Sequence, residues 1–171
     1  MDADELRAVQ APIKARYRED PAAAVITLHA EGELGAENVS CSVQTGRDLV
    51  EAGLHPATGG DGSFACSGDM LLQALVACAG VTLRSVATSR AIPIARGTVR
   101  AEGDLDFGGT MGVNRDAPVG FSAIRLSFEL DSSASSEDID ALLAATERYC
   151  VVYQTLVRGP QLSVSLTPPA S

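Results

Sequence analysis

The chain has 171 residues, 46% of them hydrophobic and 20% charged, with a net charge of −9. That length and balance fit one folded domain, or one that shares its core with a partner subunit. The acidic balance argues against a nucleic-acid partner, which needs clustered Lys and Arg, and 4% aromatics without tryptophan offers no base-stacking platform.

The start, MDADELRAVQAPIKARYREDP, is charged and has no apolar core of a signal peptide. The longest uncharged apolar run, residues 70–83, is too short to span a bilayer and is bracketed by Asp69 and Arg84. The expectation is a cytoplasmic protein that makes no membrane contact. In that compartment its four cysteines are not a structural disulfide framework, and redox or catalytic use gains weight.

Residues 4–19 have helical spacing through Leu6, Val9 and Ile13 and stop before Pro21, which suggests an N-terminal helical arm over residues 1–21. AAAVITLHAEGEL, residues 22–34, reads as a strand. NVSCSVQT, residues 38–45, alternates Val39, Cys41 and Val43 against Ser40, Ser42 and Gln44, so it pairs with the first as a hairpin. GRDLVEAGL reads as a short helix ended by Gly53.

A loop, HPATGGDGSFACSGD, leads into an apolar helix with Ser67 as its expected N-cap and Asp69 in the first turn. That helix is apolar nearly all round, from Met70 to Leu83, so it belongs at the centre of an assembly, and it stops near Ser89 ahead of Pro93. Two alternating strands follow, residues 95–107 and 120–131. The second sets Phe121, Ala123, Arg125, Ser127 and Glu129 against Ser122, Ile124, Leu126, Phe128 and Leu130. A helix capped by Ser136 carries Ile139, Leu142, Leu143, Thr146 and Cys150 on one stripe and runs on toward Gly159 and Pro160. QLSVSLT is read as a last strand. The order β-β-α-β-β-α-β is that of an α+β protein with antiparallel sheets and buried helices.

Each candidate site residue has a plain reading beside its chemical one. Cys78 lies on an apolar helix, and free cysteine packs well as a small hydrophobe; Cys150 carries the same ambiguity. Asp69 precedes Cys78 by nine residues, which at 3.6 residues per turn puts the two on opposite sides of the helix. Cys41 and Cys66 have no partner at zinc-ligand spacing, and His29 and His55 are isolated, so no metal is expected. GDGSFA resembles a degenerate dinucleotide loop, but no strand precedes it directly and no parallel βαβ order surrounds it, so no cofactor is expected.

Taken together, the loop ATGGDG, the helix SGDMLLQALVACAG and the distant ERYCVVYQTL resemble the OsmC/Ohr family of thiol peroxidases and related proteins. In that family an LL-x-ALAAC helix leads to a first cysteine, and C-P-hydrophobic-Ser carries a second. The resemblance covers roughly residues 22–167 and implies an OsmC-like domain over 22–171. It also implies antiparallel sheets around two central helices in an intertwined homodimer.

The resemblance further implies a reaction. Cys78 would attack an organic hydroperoxide as thiolate, and Cys150 would resolve the sulfenic acid as a disulfide. An external dithiol, supplied in relatives by a lipoylated protein, would then reduce the pair. The sequence departs from the peroxidase pattern in three places. Gly68 stands at the glutamate position, with Asp69, the remaining catalytic candidate, one step away. EGELGAE lacks the expected arginine, for which Arg47, Arg16 or Arg18 are the available substitutes. Val151 replaces the proline. Two rivals to the peroxidase reading follow: a binding protein that holds an apolar small molecule in a dimer-interface pocket, and an interaction module that recruits a partner through its acidic surface and arm.

Overall fold

The computed structural model describes residues 3–34, 41–43, 52–63 and 65–166. Its elements begin with α1 (Ala3–Glu19), β1 (Val25–Leu34), β2 (Cys41–Val43), β3 (Ala52–Gly53), β4 (Ala65–Cys66) and α2 (Ser67–Ser89). They continue with β5 (Arg96–Asp106), α3 (Phe107–Thr110), β6 (Phe121–Asp131), α4 (Ser136–Tyr149) and α5 (Val151–Val157). Four strands form an antiparallel sheet in the order β2-β1-β5-β6, while β3 and β4 make a separate two-residue parallel pair.

The period-two pattern of β5 and β6 divides the sheet into two faces. Val99, Ala101, Ile124, Leu126, Phe128 and Leu130 face the core. On the other face Arg100 meets Glu129, Arg96 meets Asp131, and Arg125 grips Asp104 at 2.6 Å with Glu102 beside it. Such exposed pairs set register more than they add stability.

Helix α2 lies on the inner face. Its residues Leu72, Leu75, Val76, Ala79, Gly80, Leu83 and Ala87 recur at helical spacing and are buried. Each fully buried Leu or Val contributes about 1.5–3 kcal/mol relative to exposure, so this stripe anchors the domain. By length and hydropathy α2 could cross a membrane, but this packing makes it a core helix. A second cluster joins Tyr17 of α1 to Ala24, Ala57 and Phe107, and the Tyr17 hydroxyl donates to Ala57 O at 2.8 Å.

Several expectations change. The short helix expected over GRDLVEAGL lies mostly outside the described residues; within them, Ala52 and Gly53 are strand. Ser67 is not the N-cap of α2. Cys66 holds that place without a side-chain bond, because strand pairing with Gly53 delivers the chain straight into the helix. The cap of α4 is Ser135 rather than Ser136, its hydroxyl accepting from Asp138 N at 3.1 Å. Phe121 was placed on the wet face, but a bulge at Ser122, between the Leu105–Phe121 and Asp104–Ala123 pairs, turns it inward. Gly103 makes the room: a Cβ there would stand 2.5 Å from the Phe121 ring.

The second long helix is two helices. Cys150, at ψ 109°, turns the chain so that α5 folds back on α2 and packs Val152 and Tyr153 against the core; a straight α4 would carry them past it. α2 is not covered all round either, since one chain supplies one sheet: Leu71 and Val81 are exposed. Gln161–Leu166 forms no strand, because among the described residues it has no partner strand, and Leu162, Val164 and Leu166 stand almost fully in solvent.

Arg84 is buried within the hydrophobic stripe. Its Nη1 donates to Ile94 O at 3.0 Å, while among the described residues Nε and Nη2 have no hydrogen-bond partner. A buried charge without a counter-charge is costly to desolvate, whereas a methionine of similar length is not. Arg84→Met is therefore expected to leave stability within about 1 kcal/mol of the parent or to raise it, as read by urea unfolding. A loss beyond about 2 kcal/mol would mean that the bond to Ile94 outweighs desolvation.

Candidate active site

Cys78 and Cys150 come from separate helices and meet. Cys78 sits midway along α2, on the stripe shared with Leu71, Ala74 and Val81, and is half-buried. Cys150 is the junction residue of α4 and α5 and is fully buried. Its Sγ accepts from Tyr153 N at 3.5 Å. The return of α5 onto α2 sets the Cys150 thiol against the Cys78 sulfur, and both thiols are free.

The two thiols are pushed in opposite directions. Burial tends to raise Cys78, but hydrogen bonding from the Val152 amide, the Cys150 thiol, the Val151 amide and the Thr82 hydroxyl outweighs it, and Cys78 ends below the usual thiol range. Burial pushes Cys150 up to about 11; the Tyr153 amide opposes this, and donation to Cys78 adds to it. The first proton leaves from Cys78, with Cys150 as its hydrogen-bond donor. A lowered thiol with access to solvent is the nucleophilic partner of such a pair.

Beside the thiols runs an apolar groove of about 520 Å³, lined by Leu71 and Leu75 of α2, by Phe121, Ile124 and Leu126 of β6, and by Tyr153, Leu156 and Val157 of α5. Leu71, Leu75 and Cys78 follow one another at i, i+4 and i+7, so the groove ends one helical turn from the sulfur.

The other sequence candidates lie apart. Asp69, in the first turn of α2, is two and a half turns from Cys78 and is not among the groups acting on it. Arg16 stacks over its neighbour Tyr17 at 5.2 Å on the arm, Arg18 is exposed, and Arg47 lies outside the described residues. Cys66 ends β4, and Cys41 and His29 lie in β2 and β1. His55 stacks on Phe107 at 4.8 Å and accepts from Ala57 N through Nδ1, which is a structural role. The GDGSFA loop is tied by Asp61 accepting from Ser63 N at 2.8 Å. Sequence reasoning missed Thr82, the two valine amides and Tyr153. Only Thr82, four residues beyond Cys78, had a readable signal.

The sequence profile of OsmC-like proteins matches residues 60–165, which hold Cys78, Cys150 and every element from β4 to α5, with β1 and β2 outside. The chain belongs to the OsmC-like family. No curated protein sequence matches it. Among solved structures it is similar to an OsmC-like hydroperoxide resistance protein from Jannaschia sp. CCS1, at 15% identity and a TM-score of 0.61, covering 86% of this chain and 97% of that one. It is also similar to an OsmC-like protein from Mycoplasma pneumoniae, at 18% identity and a TM-score of 0.55, covering 79% and 86%. At these identities the likeness is one of fold.

Within this OsmC-like chain, peptide and hydroxyl donors act on Cys78, where the peroxidase pattern has a guanidinium and a carboxylate. One of them depends on residue 151 not being proline, which has no N–H. Val151 is the first residue of α5, where proline fits the helix backbone. Val151→Pro should therefore fold and should raise the Cys78 titration midpoint. The check is the pH profile of iodoacetamide alkylation at Cys78, which should move to higher pH; an unmoved profile would show that the Val151 amide contributes nothing.

Proposed function

We propose that this OsmC-like protein reduces organic hydroperoxides with Cys78 as the attacking thiol and Cys150 as the resolving one. The observation that carries the reading is the contact between two thiols pushed in opposite directions, beside an apolar groove. The Cys78 thiolate attacks the terminal peroxide oxygen, the O–O bond breaks, and the alkoxide leaves as alcohol with the Cys150 proton. The Cys150 thiolate then attacks the sulfenic sulfur, hydroxide leaves as water on taking up a proton, and a disulfide forms. An external dithiol returns both thiols. Asp69, two and a half helical turns from Cys78 along the same chain, is assigned no step. The similarity to a hydroperoxide resistance protein supports the same reading.

The working unit we infer is a cytoplasmic homodimer. Residues 71, 74, 78, 81, 85 and 88 repeat at alternating spacings of three and four along α2, and all but Cys78 are exposed. That is the pattern of a helix seam. Leu162, Val164 and Leu166 present a second apolar row, and among the described residues the outer edge of β6 has no partner strand. A second reading, retention of an apolar small molecule without turnover, draws on the groove alone.

One equivalent of cumene hydroperoxide, added anaerobically, is expected to consume two thiols and to give a Cys78–Cys150 link on peptide mapping; in Cys78→Ser neither happens. Survival of all thiols in the parent would leave the binding reading in place. Sedimentation should give a dimer, and removal of residues 161–171 should weaken it at least tenfold, since those residues carry three fully exposed apolar side chains, each worth about 1.5–3 kcal/mol when buried. A chain that sediments as a monomer at high concentration would remove the dimer.

A further inference from the structure

The Cys150 sulfur does a second job. Its residue closes α4 through Cys150 N to Thr146 O at 2.9 Å and opens α5 through Gln154 N to Cys150 O at 2.9 Å. Its Sγ is the side-chain cap of α5, accepting from Tyr153 N. The helix so capped is one wall of the groove, through Tyr153, Leu156 and Val157.

Turnover by the two-thiol reading, on which this inference rests, meets an obstacle in the same place. Cys150 has no exposed surface. In a disulfide made with it, only the half-buried Cys78 sulfur is open to an incoming dithiol, which must approach a sulfur directly to attack it. To bring the Cys150 sulfur within reach as well, some element has to move.

We propose that disulfide formation unlatches α5: drawing the Cys150 sulfur to Cys78 strips the helix of its cap, and the loosened helix uncovers the disulfide for reduction. In the reduced protein the Tyr153 amide donates to Cys150 Sγ, and the Val151 and Val152 amides lower the Cys78 thiol. A disulfide brings the sulfurs to about 2.05 Å, moving Cys150 Sγ off the Tyr153 amide, and it removes the thiolate charge. The Tyr153 amide loses its acceptor, and the Val151 and Val152 amides lose the charge they favour, in one step.

Besides these bonds, α5 is held by Val152 and Tyr153 on the core and by Gln154 Nε2 donating to Glu147 O at 2.8 Å. It has seven residues, far below the length at which a helix persists alone. Val151 and Val157 are exposed at 71% and 61%, the helix closes with Arg158 N donating to Gln154 O, and Gly159 follows. The opened disulfide is then reduced by exchange. A dithiol thiolate attacks one sulfur, the S–S bond breaks with the other cysteine leaving as thiolate, and the second thiol of the reductant displaces the first cysteine. Two electrons and two protons pass to the protein, and the reductant closes its own disulfide.

The test is amide hydrogen exchange over residues 151–158, with α4 as internal reference, on the full chain. The disulfide is made with diamide, which takes two electrons and two protons from the thiols, so the latch is examined whether or not peroxide is a substrate. Peptide mapping confirms the link. Relative to the reduced protein, exchange in α5 should quicken about fivefold in Cys150→Ala and at least as much in the disulfide form, while Cys150→Ser, whose hydroxyl caps well, stays protected. Equal protection of α5 in reduced and disulfide forms would overturn the latch while leaving the peroxidase reading standing. Failure of diamide to link the two cysteines would overturn it too, because thiols in contact are its premise.

Discussion

Everything in this domain depends on the seating of α2 against the inner face of the sheet. Leu72, Leu75, Val76, Ala79 and Leu83 meet Val99 and Ala101 across that interface, and none of them retains appreciable exposure. Close packing of this kind fixes the rotation of the helix about its own axis as well as its position. Once the stripe through Leu72 and Ala79 faces the sheet, the stripe through Leu71, Ala74 and Cys78 faces away. The thiol is thereby turned toward α5 rather than into the sheet.

The chemistry of the pair follows from a turn rather than from charged side chains. Because Cys150 breaks the helical run, α5 doubles back and aims main-chain donors at Cys78. Peptide N–H groups stabilise a thiolate with no counter-charge to desolvate, which suits a half-apolar site. The same turn keeps Cys150 dry, so that burial holds its proton. One local departure from helical geometry thus separates the roles of two chemically identical residues, and it also makes the sulfur a structural part of the helix it terminates.

The N-terminal arm belongs to a different part of the molecule. Tyr17 is buried, and its hydroxyl is bonded to Ala57, within a small cluster that includes Phe107 and the stacked His55. The arm steadies the loop that leads into β4 and α2. Arg16 and Arg18 are exposed on it and are not among the groups acting on Cys78.

The sequence by itself determined the periodic elements. Alternation in β5 and β6, the apolar run of α2 and the stripe of α4 are local patterns whose buried faces can be read from spacing alone. Together with the two cysteine segments they were enough for the family and for the pairing of Cys78 with Cys150 as candidates. Tertiary structure decided what spacing does not encode. The bulge at Ser122 turned Phe121 inward because Gly103, two residues before the strand partner Leu105, leaves room for the ring, a contact eighteen residues apart. The break at Cys150 arose because packing Val152 and Tyr153 on the core outweighs continuing α4, and no proline or glycine announces it. Asp69 was carried as a site residue by its nearness to a family position, yet helix geometry holds it two and a half turns from the thiol. The donors that act on Cys78 are mostly backbone amides, which every residue but proline possesses; only the fold selects which of them point at sulfur.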